Sequence, residues 1–262
     1  MPHADPAAQD VKRAAAVLSA VLAAAPAVAH ADLAVTGVYE ARLLIKVADL
    51  RTDQVVEPTR YRLGARLSTI GALGILKPSV LLDQANGAIR SGAVTPEVFI
   101  QTEKNGTKRR FVRFSGAPSA PADPLTQLLR VALTPGGGSP CVGAVPVYDG
   151  RQRYDLSFLP AGAGRLEGAQ TGFGLTKATA CRLGFRPISG FSGGPPKKSP
   201  FLRGDPTATF AYAARADVWV LTDVAIPTAV GTGHIALTGL SLSGVRPPPI
   251  PTAKPQNRRK RG

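Results

Sequence analysis

The two cysteines, Cys141 and Cys181, stand 40 residues apart, and their surroundings restrict what they can do. They do not form a C-x-x-C pair, which argues against a redox centre. One cysteine pair without a neighbouring histidine is also a poor zinc site, because structural zinc takes four ligands. In an oxidising compartment, an even number of cysteines indicates a disulfide. We therefore predict a Cys141–Cys181 disulfide in an exported protein.

Histidine-dependent catalysis has few candidate residues. His3 and His30 belong to the N-terminal segment discussed below, which leaves His234 as a general base for the rest of the chain. Ser192 lies between glycines, but it opens a loop rich in glycine and proline, whereas a nucleophile elbow joins a strand to a helix. We interpret His234 as an ordinary strand residue, since a base needs a matched nucleophile and an orienting partner.

Asp149 and Asp155 are the acid pair that most resembles a glycosidase arrangement, and each has a simpler explanation. Asp149 suits a turn, and Asp155 falls on the exposed phase of a strand beside Arg153. The glycine run at 136–138 lacks the Lys-Ser/Thr of a phosphate-binding loop, and no His, Asp and Glu cluster has metal-ligand spacing. We predict no catalytic residue, no cofactor and no metal.

The N-terminal segment has the composition of an export signal. Lys12 and Arg13 precede an apolar stretch at 14–28, which ends in the small-residue run Ala29-His30-Ala31. Such a pattern is typical of a secretory signal peptide. We predict that residues 1–31 are the signal peptide, that cleavage separates Ala31 from Asp32, and that the mature protein is periplasmic.

The remaining chain is strongly basic, with a formal net charge of +15 for the whole sequence. Residues 246–262 are rich in proline and end in four consecutive bases, Arg258, Arg259, Lys260 and Arg261. We predict a β-rich domain over 32–245 followed by a disordered basic tail. Outside the cytoplasm, such charge favours an anionic membrane surface, lipopolysaccharide or acidic glycan rather than nucleic acid.

Apolar and polar residues alternate along much of the chain, as in antiparallel strands with one buried face. One such run extends from Tyr39 to Val47 and is interrupted at Leu44. Asn105-Gly106 and Asp149-Gly150 predict two hairpin turns, because both dipeptides accept positive φ angles. The flanking strands are expected at 98–103 and 108–114, and at 144–148 and 151–159. Further strands are expected at 172–185, 207–222 and 234–243.

Helical signals are few. Asp123 suits an N-cap and Pro124 a first helical position, so we predict a helix from Pro124 to about Leu133. A shorter turn is expected at 71–76, and a loop at 190–206. We predict a mainly β fold: a curved antiparallel sheet or open β-barrel with one or two short helices on its concave face. That face could be plain core or line a ligand cavity, and the candidate lining residues are Tyr61, Leu63, Leu125, Leu128, Leu129, Tyr154 and Phe158.

Several short motifs, spread over residues 35–243, occur in the same order in one group of proteins. They are Tyr61-Arg62-Leu63, Thr69-Ile70-Gly71-Ala72-Leu73, Asp123-Pro124-Leu125, Val147-Tyr148-Asp149-Gly150-Arg151, Tyr154-Asp155-Leu156, Pro187-Ile188-Ser189-Gly190-Phe191 and Pro227-Thr228-Ala229-Val230-Gly231, with Cys141 and Cys181 each ahead of one motif. In these motifs the chain resembles an uncharacterised family of secreted proteobacterial proteins.

That family is similar in fold to the periplasmic lipoprotein carriers, whose open β-barrels are lined by apolar side chains and capped by short helices. The resemblance implies an envelope protein with an apolar cavity, and it implies no catalytic residue. The loop at 190–206 and the basic tail depart from the family pattern.

Two hypotheses of function follow from these features. We favour a non-enzymatic envelope protein that binds a lipid, an acyl chain or a lipidated partner in the concave cavity, with the tail near an anionic membrane. The alternative is a structural or adaptor protein that binds protein partners or acidic glycan through its charged surface. A hydrolase that depends on His234 is the least favoured hypothesis. The oligomeric state has no signature in the sequence.

The export prediction is tested by intact-mass analysis of the protein purified from cells. We expect a chain that begins at Asp32 and is two hydrogens lighter than its reduced form, because signal peptidase removes the leader and the oxidising compartment joins the cysteines. A cytosolic protein that retains its leader and has both thiols free would contradict the prediction.

Overall fold

The computed structural model describes residues 32–76, 78–116, 120–191 and 201–247. Most of these residues lie in strands, with three short helices between them. The strands are β1 Leu33–Leu43, β2 Ile45–Val56, β3 Arg60–Thr69, β4 Ser79–Arg90, β5 Ala93–Asn105, β6 Lys108–Ser115, β7 Gly143–Tyr148, β8 Arg153–Ala163, β9 Lys177–Ser189, β10 Thr207–Ala213, β11 Val218–Thr228 and β12 Gly231–Ser243. The helices are α1 Gly71–Leu76, α2 Pro124–Ala132 and α3 Gly168–Gly172, and a 3₁₀ turn spans Pro135–Gly137.

All twelve strands form one antiparallel sheet in the order β6-β5-β4-β3-β2-β1-β12-β11-β10-β9-β8-β7. Strands that follow each other in sequence are neighbours in the sheet, except β6 and β7, which lie at its two edges. The pairing of β1 with β12 joins the two halves. The edge strands β6 and β7 share no backbone pairing within the described ranges. They meet through side chains, because the rings of Phe114 and Tyr148 lie 5.0 Å apart. The predicted mainly β fold with an open barrel is confirmed.

Helix α2 lies within the curve of the sheet, in contact with β3, β4 and β5 of one half and with β7 and β11 of the other. It begins as predicted: the carboxylate of Asp123 accepts a hydrogen bond from the backbone N–H of Thr126 at 2.8 Å, and Pro124 opens the first turn. Leu133 forms the C-cap. An amphipathic helix of this length needs tertiary packing to be stable, and here both halves of the sheet provide it.

The buried side chains form two clusters, and α2 contributes to both. Leu129 packs in the first cluster with Tyr61 and Phe99, whereas Val131 packs in the second with Trp219 and Phe158. The helix therefore joins the two halves of the core. Successive residues of β10 also fall in different clusters, so both faces of that strand are covered.

The predicted hairpins at Asn105-Gly106 and Asp149-Gly150 and the helix at 124–133 are confirmed. The single run from Tyr39 to Val47 was wrong, because the chain reverses at Leu44, whose φ is +64°. Leu43 pairs with Ile45 across this turn, so both stay on one face and the alternation continues through the reversal. The strand expected at 207–222 is likewise two strands joined by a hairpin at 214–217. Strand β4 and helix α3 were not predicted.

The predicted disulfide is present and joins Cys141, just before β7, to Cys181 in β9. Cys181 is fully buried in the second cluster, next to Ala208 on the neighbouring strand. The bridge therefore ties the segment after α2 to the second core cluster. Among the described residues, no helix combines the length and the apolar character needed to cross a bilayer.

The contribution of the disulfide can be measured by urea unfolding. The double substitution Cys141→Ala and Cys181→Ala should lower the free energy of unfolding by about 4 kcal/mol, because it releases a 40-residue loop in the unfolded chain. Reduction of the disulfide in the wild-type protein keeps both sulfur atoms in the core and should lower the free energy of unfolding by a similar amount. Unchanged stability after reduction would contradict the prediction.

Candidate functional site

The residues predicted to line a cavity are distributed through the core. Tyr61, Leu63 and Leu129 belong to the first cluster, with Leu125 packed against it, and Phe158 belongs to the second. Tyr154 is half-buried, with its ring 4.9 Å from that of Phe185. Leu128 remains exposed at the surface. The structure thus brings most of these side chains together as close-packed core around α2.

The other predicted site residues lie at or beyond the ends of the described chain. Asp32 is the first described residue. Ala31 and the tail residues Arg258, Arg259, Lys260 and Arg261 lie outside the described residues. Ser192, which was not predicted to be a site residue, also lies outside them.

The acidic residues considered for catalysis have structural partners. The carboxylate of Asp149 accepts hydrogen bonds from the backbone N–H groups of Arg151 and Gln152, at 2.9 and 2.7 Å, as expected for a turn residue. Asp155 forms an ion pair with Arg186 on β9 rather than with Arg153. His234 lies in β12 as predicted, and its Nδ1 atom lies 3.1 Å from both carboxylate oxygens of Asp223.

Sequence analysis missed a buried acid, Asp83 on β4. The pKa of its carboxyl is raised to about 6, mainly by burial and to a smaller extent by the carboxylates of Asp123 and Asp149, while a hydrogen bond with Gln101 opposes the shift. Its Oδ1 atom is buried and has no hydrogen-bond partner among the described residues. Burial is the largest cause of the raised pKa of Tyr154, and the carboxylates of Asp149, Asp83 and Asp123 also raise it. The barrel interior therefore contains a polar centre in which one carboxyl takes up a proton readily.

This polar centre does not have the donors of a metal site. No group of three or more His, Cys, Asp and Glu side chains in the described part of the chain is arranged to hold a metal ion. The sequence feature that could have revealed Asp83 is its position as an acid on the inward-facing side of a strand, between Leu81 and Ala85. It was missed because β4 itself was not predicted.

An open cleft with a volume of about 840 Å³ lies at one end of the barrel. Four segments surround it: the turn between β4 and β5, the C-terminal end of α2 with the following 3₁₀ turn, the turn between β10 and β11, and the chain that leaves β12. We call it the end cleft, and it is lined by Ser91, Gly92, Ala93, Val94, Arg130, Leu133, Thr134, Pro135, Asp217, Arg246 and Pro247. Apolar walls and two guanidinium groups meet in this space.

Arg130 reaches the end cleft from the last turn of α2. Its Nε and Nη2 atoms donate to the carbonyl oxygen of Val94, at 3.1 and 2.7 Å, and its Nη1 atom donates to the Oε1 atom of Gln127 at 3.2 Å. Gln127 is held in turn by the carbonyl of Pro146, at 2.6 Å. Arg130 thus has a fixed orientation, and within the described ranges it forms no ion pair.

Arg246 closes the opposite side of the end cleft. Its Nη1 atom donates to the carbonyl oxygen of Leu133 at 2.6 Å and lies 3.7 Å from the Oδ2 atom of Asp217. Its own backbone N–H donates to the carbonyl of Ala216. Arg246 was assigned to the tail from sequence, but the structure packs it against the barrel.

Asp217 supplies the negative charge of the end cleft and is fully engaged by neighbouring groups. Its Oδ1 atom accepts from the backbone N–H of Gly136 at 3.1 Å and from the hydroxyl of Tyr212 at 2.6 Å. The hydrogen bond from the Tyr212 hydroxyl to Asp217 is the main cause of the raised pKa of Tyr212. With two guanidinium groups and one carboxylate, the end cleft has a net positive charge.

The fold and the cleft describe an open antiparallel β-barrel with a helix inside it. No family model matches the chain, and no curated protein matches it. Among solved structures, it is similar to a β-barrel-like protein of domain of unknown function DUF1849 from Brucella abortus. The two chains share 9% sequence identity with a TM-score of 0.43, and the match covers 81% of this chain and 97% of the other.

The polar centre predicts a specific dependence of stability on pH. Because the pKa of Asp83 is raised in the folded state, its contribution to stability is complete below about pH 4 and is lost as the pH rises through 6. Asp83→Asn should therefore raise the free energy of unfolding by about 1–2 kcal/mol at pH 7.5, with a smaller gain at pH 5.

Urea unfolding at the two pH values measures the difference. The exposed Asp205 serves as the matched control, and Asp205→Asn should change stability little at either pH. An Asp83→Asn variant that is less stable than the wild type at pH 7.5 would contradict the prediction.

Proposed function

We propose that this protein is an exported, non-enzymatic binding protein and that its ligand is an amphiphilic anion held in the end cleft. The observation that carries the proposal is the combination of apolar walls with two oriented guanidinium groups around about 840 Å³. That volume lies within the usual range for small-molecule sites, about 300–1,000 Å³.

The centre of the barrel supports this function less well than its end. Helix α2 occupies the concave face, and the side chains around it are close-packed, so a ligand there would have to displace core residues. At the end cleft, Ala93 and Pro135 are exposed, and the buried Val94 and Leu133 contribute their outer edges to the lining. An acyl chain could cover these walls without repacking the core.

The guanidinium groups favour an anionic headgroup. Arg130 already donates to neutral carbonyl groups, which hold its plane without neutralising its charge. A phosphate or carboxylate in the end cleft would gain charge-assisted hydrogen bonds, which are roughly twice as strong as neutral ones. The single carboxylate, Asp217, is engaged by Tyr212 and Gly136 and opposes only part of this charge.

Export and the resemblance to lipoprotein carriers favour the same class of ligand. A periplasmic location would place the protein between membranes, where amphiphilic anions are abundant, and the Cys141–Cys181 bridge is consistent with that compartment. The lipoprotein carriers hold apolar molecules in open barrels. Native mass spectrometry of protein from the envelope, followed by extraction and identification of bound lipid, tests the proposal with the natural ligand.

Calorimetry with dodecyl phosphate tests the headgroup directly. Arg130→Gln should weaken binding about 10- to 100-fold, because it removes the charge-assisted hydrogen bonds of an oriented guanidinium group to the phosphate. Arg182→Gln on β9 is the matched control: Arg182 is exposed, lies away from the end cleft, and should bind as the wild type does.

Dodecyltrimethylammonium, which has the same chain and the opposite charge, should bind weakly to the wild type. Equal binding of the two amphiphiles, or wild-type affinity in the Arg130 variant, would contradict a cleft selective for anions.

The alternative, an adaptor for acidic glycan, is favoured by one feature of the outer surface. Arg66, Arg109 and Arg113 project from the outward phase of β3 and β6, and none forms an ion pair among the residues that the structure describes. Binding of a soluble acidic polysaccharide that is lost in a variant with these three residues changed to Gln, but kept in Arg130→Gln, would support the adaptor function.

A further inference from the structure

Large apolar side chains are exposed on neighbouring turns at the end of the barrel opposite the end cleft. The exposed fractions are 87% for Leu44, 84% for Ile75, 62% for Ile45 and 53% for Val230. We call them the apolar tips. Single exposed apolar residues are common, but several large ones on neighbouring turns mark an interaction surface.

The topology places these residues at one end. Leu44 and Ile45 lie at the turn between β1 and β2, and Val230 lies in the turn between β11 and β12. Strand β12 pairs with β1 at this end, where His234 lies opposite Arg42. Helix α1, which presents Ile75, begins beside the same hairpin, because the backbone N–H of Ile70 donates to the carbonyl of Val47.

The end cleft lies at the other end of the strands. Ala93, the first residue of β5, lines the end cleft, and Asn105, the last residue of β5, lies on the side of the tips. A strand of this length spans about 40 Å. The apolar tips and the end cleft are therefore separate surfaces, and the role of the tips does not depend on the ligand proposed for the end cleft.

The backbone at Leu44 is unusual for its side chain. Leu44 adopts a φ of +64°, a region that glycine and asparagine enter easily and leucine rarely does. A leucine exposed to this extent gains almost nothing from burial within its own fold. Neither the turn nor the core explains a leucine at this position, so its role is expected outside the chain.

Basic residues stand next to the tips. The hairpin between β5 and β6 touches the segment that follows α1, where the backbone N–H of Gly106 donates to the carbonyl of Pro78 at 2.8 Å. Its flanking residues Lys104, Lys108 and Arg109 are exposed, and no described acidic side chain forms an ion pair with them. An apolar surface with adjacent unpaired bases is complementary to an anionic interface over a hydrocarbon layer.

We propose that the apolar tips dock this protein on the surface of an anionic phospholipid bilayer. Leu44, Ile45, Ile75 and Val230 would enter the boundary between headgroups and acyl chains, and the lysines of the β5–β6 hairpin would contact lipid phosphates. The tips project from separate turns, which suits a deformable lipid surface. Docked in this way, the protein turns its end cleft and both ends of the described chain away from that bilayer.

Tryptophan fluorescence provides a direct test with the full chain. The native chain has one tryptophan, Trp219, which is buried, so a Leu44→Trp substitution adds an exposed reporter at the tips. On vesicles of phosphatidylglycerol and phosphatidylcholine, its emission should shift to the blue and be quenched by brominated acyl chains. Val142→Trp, at an exposed apolar position away from the tips, is the matched control and should show neither change.

Vesicle flotation then measures the energetic contribution of the tips. The double variant combines Leu44→Asn, in which the new residue accepts the positive φ, with Ile75→Gln. Partitioning of this variant onto the vesicles should be roughly 100-fold weaker than that of the wild type, or about tenfold for each side chain withdrawn from the bilayer. Because the basic tail also attracts anionic vesicles, both proteins are compared with Arg258, Arg259, Lys260 and Arg261 changed to Gln.

The outcomes separate this inference from its competitors. Unchanged flotation of the double variant, or a quenching profile of Leu44→Trp equal to that of Val142→Trp, overturns membrane docking. Loss of a cross-linked protein partner in the double variant, without any vesicle binding by the wild type, assigns the tips to a protein interface and also overturns it. Dodecyl phosphate binding should stay at the wild-type level in the double variant.

Discussion

One buried hydrogen-bond chain holds the helix inside the barrel. The carboxylate of Asp123 accepts from both the backbone N–H and the hydroxyl of Thr126, and that hydroxyl lies 2.8 Å from the phenol oxygen of Tyr61 on β3. Asp123 and Thr126 are fully buried, so each polar group needs its partner. This chain of contacts sets where α2 begins and against which strand it lies. The filled concave face and the position of Arg130 both follow from it.

The sheet encloses the helix without closing its backbone pairing. Its two edges are protected by different means: β6 carries Lys108, Arg109 and Arg113, and β7 contains Pro146, which cannot donate to another strand. Where the edges approach, the Phe114 and Tyr148 rings pack together instead. Edges protected in these ways resist pairing with strands of further chains.

The two ends of this barrel have different chemistry. At one end, guanidinium groups are oriented by backbone carbonyls around an open space with apolar walls. At the other, apolar side chains project from turns, beside lysines that form no ion pair with any described acidic residue. The core between them is close-packed, so a ligand cannot pass through the barrel. A surface that docks and a site that binds would then work independently, each set by local turns on a rigid sheet.

Local features in the sequence determined much of the architecture. Alternating strands, the Asp123-Pro124 helix start and two glycine turns have signatures a few residues long, because backbone geometry itself selects those residue types. The hairpin at Leu44 had no such signature, since an apolar residue in a left-handed conformation looks like part of a strand. Only the tertiary structure showed that α2 fills the concave face, that Asp83 is buried, and that Arg130 and Arg246 meet across the end cleft. Those relations join residues up to 116 positions apart, and they are set by packing between strands, which no local pattern encodes.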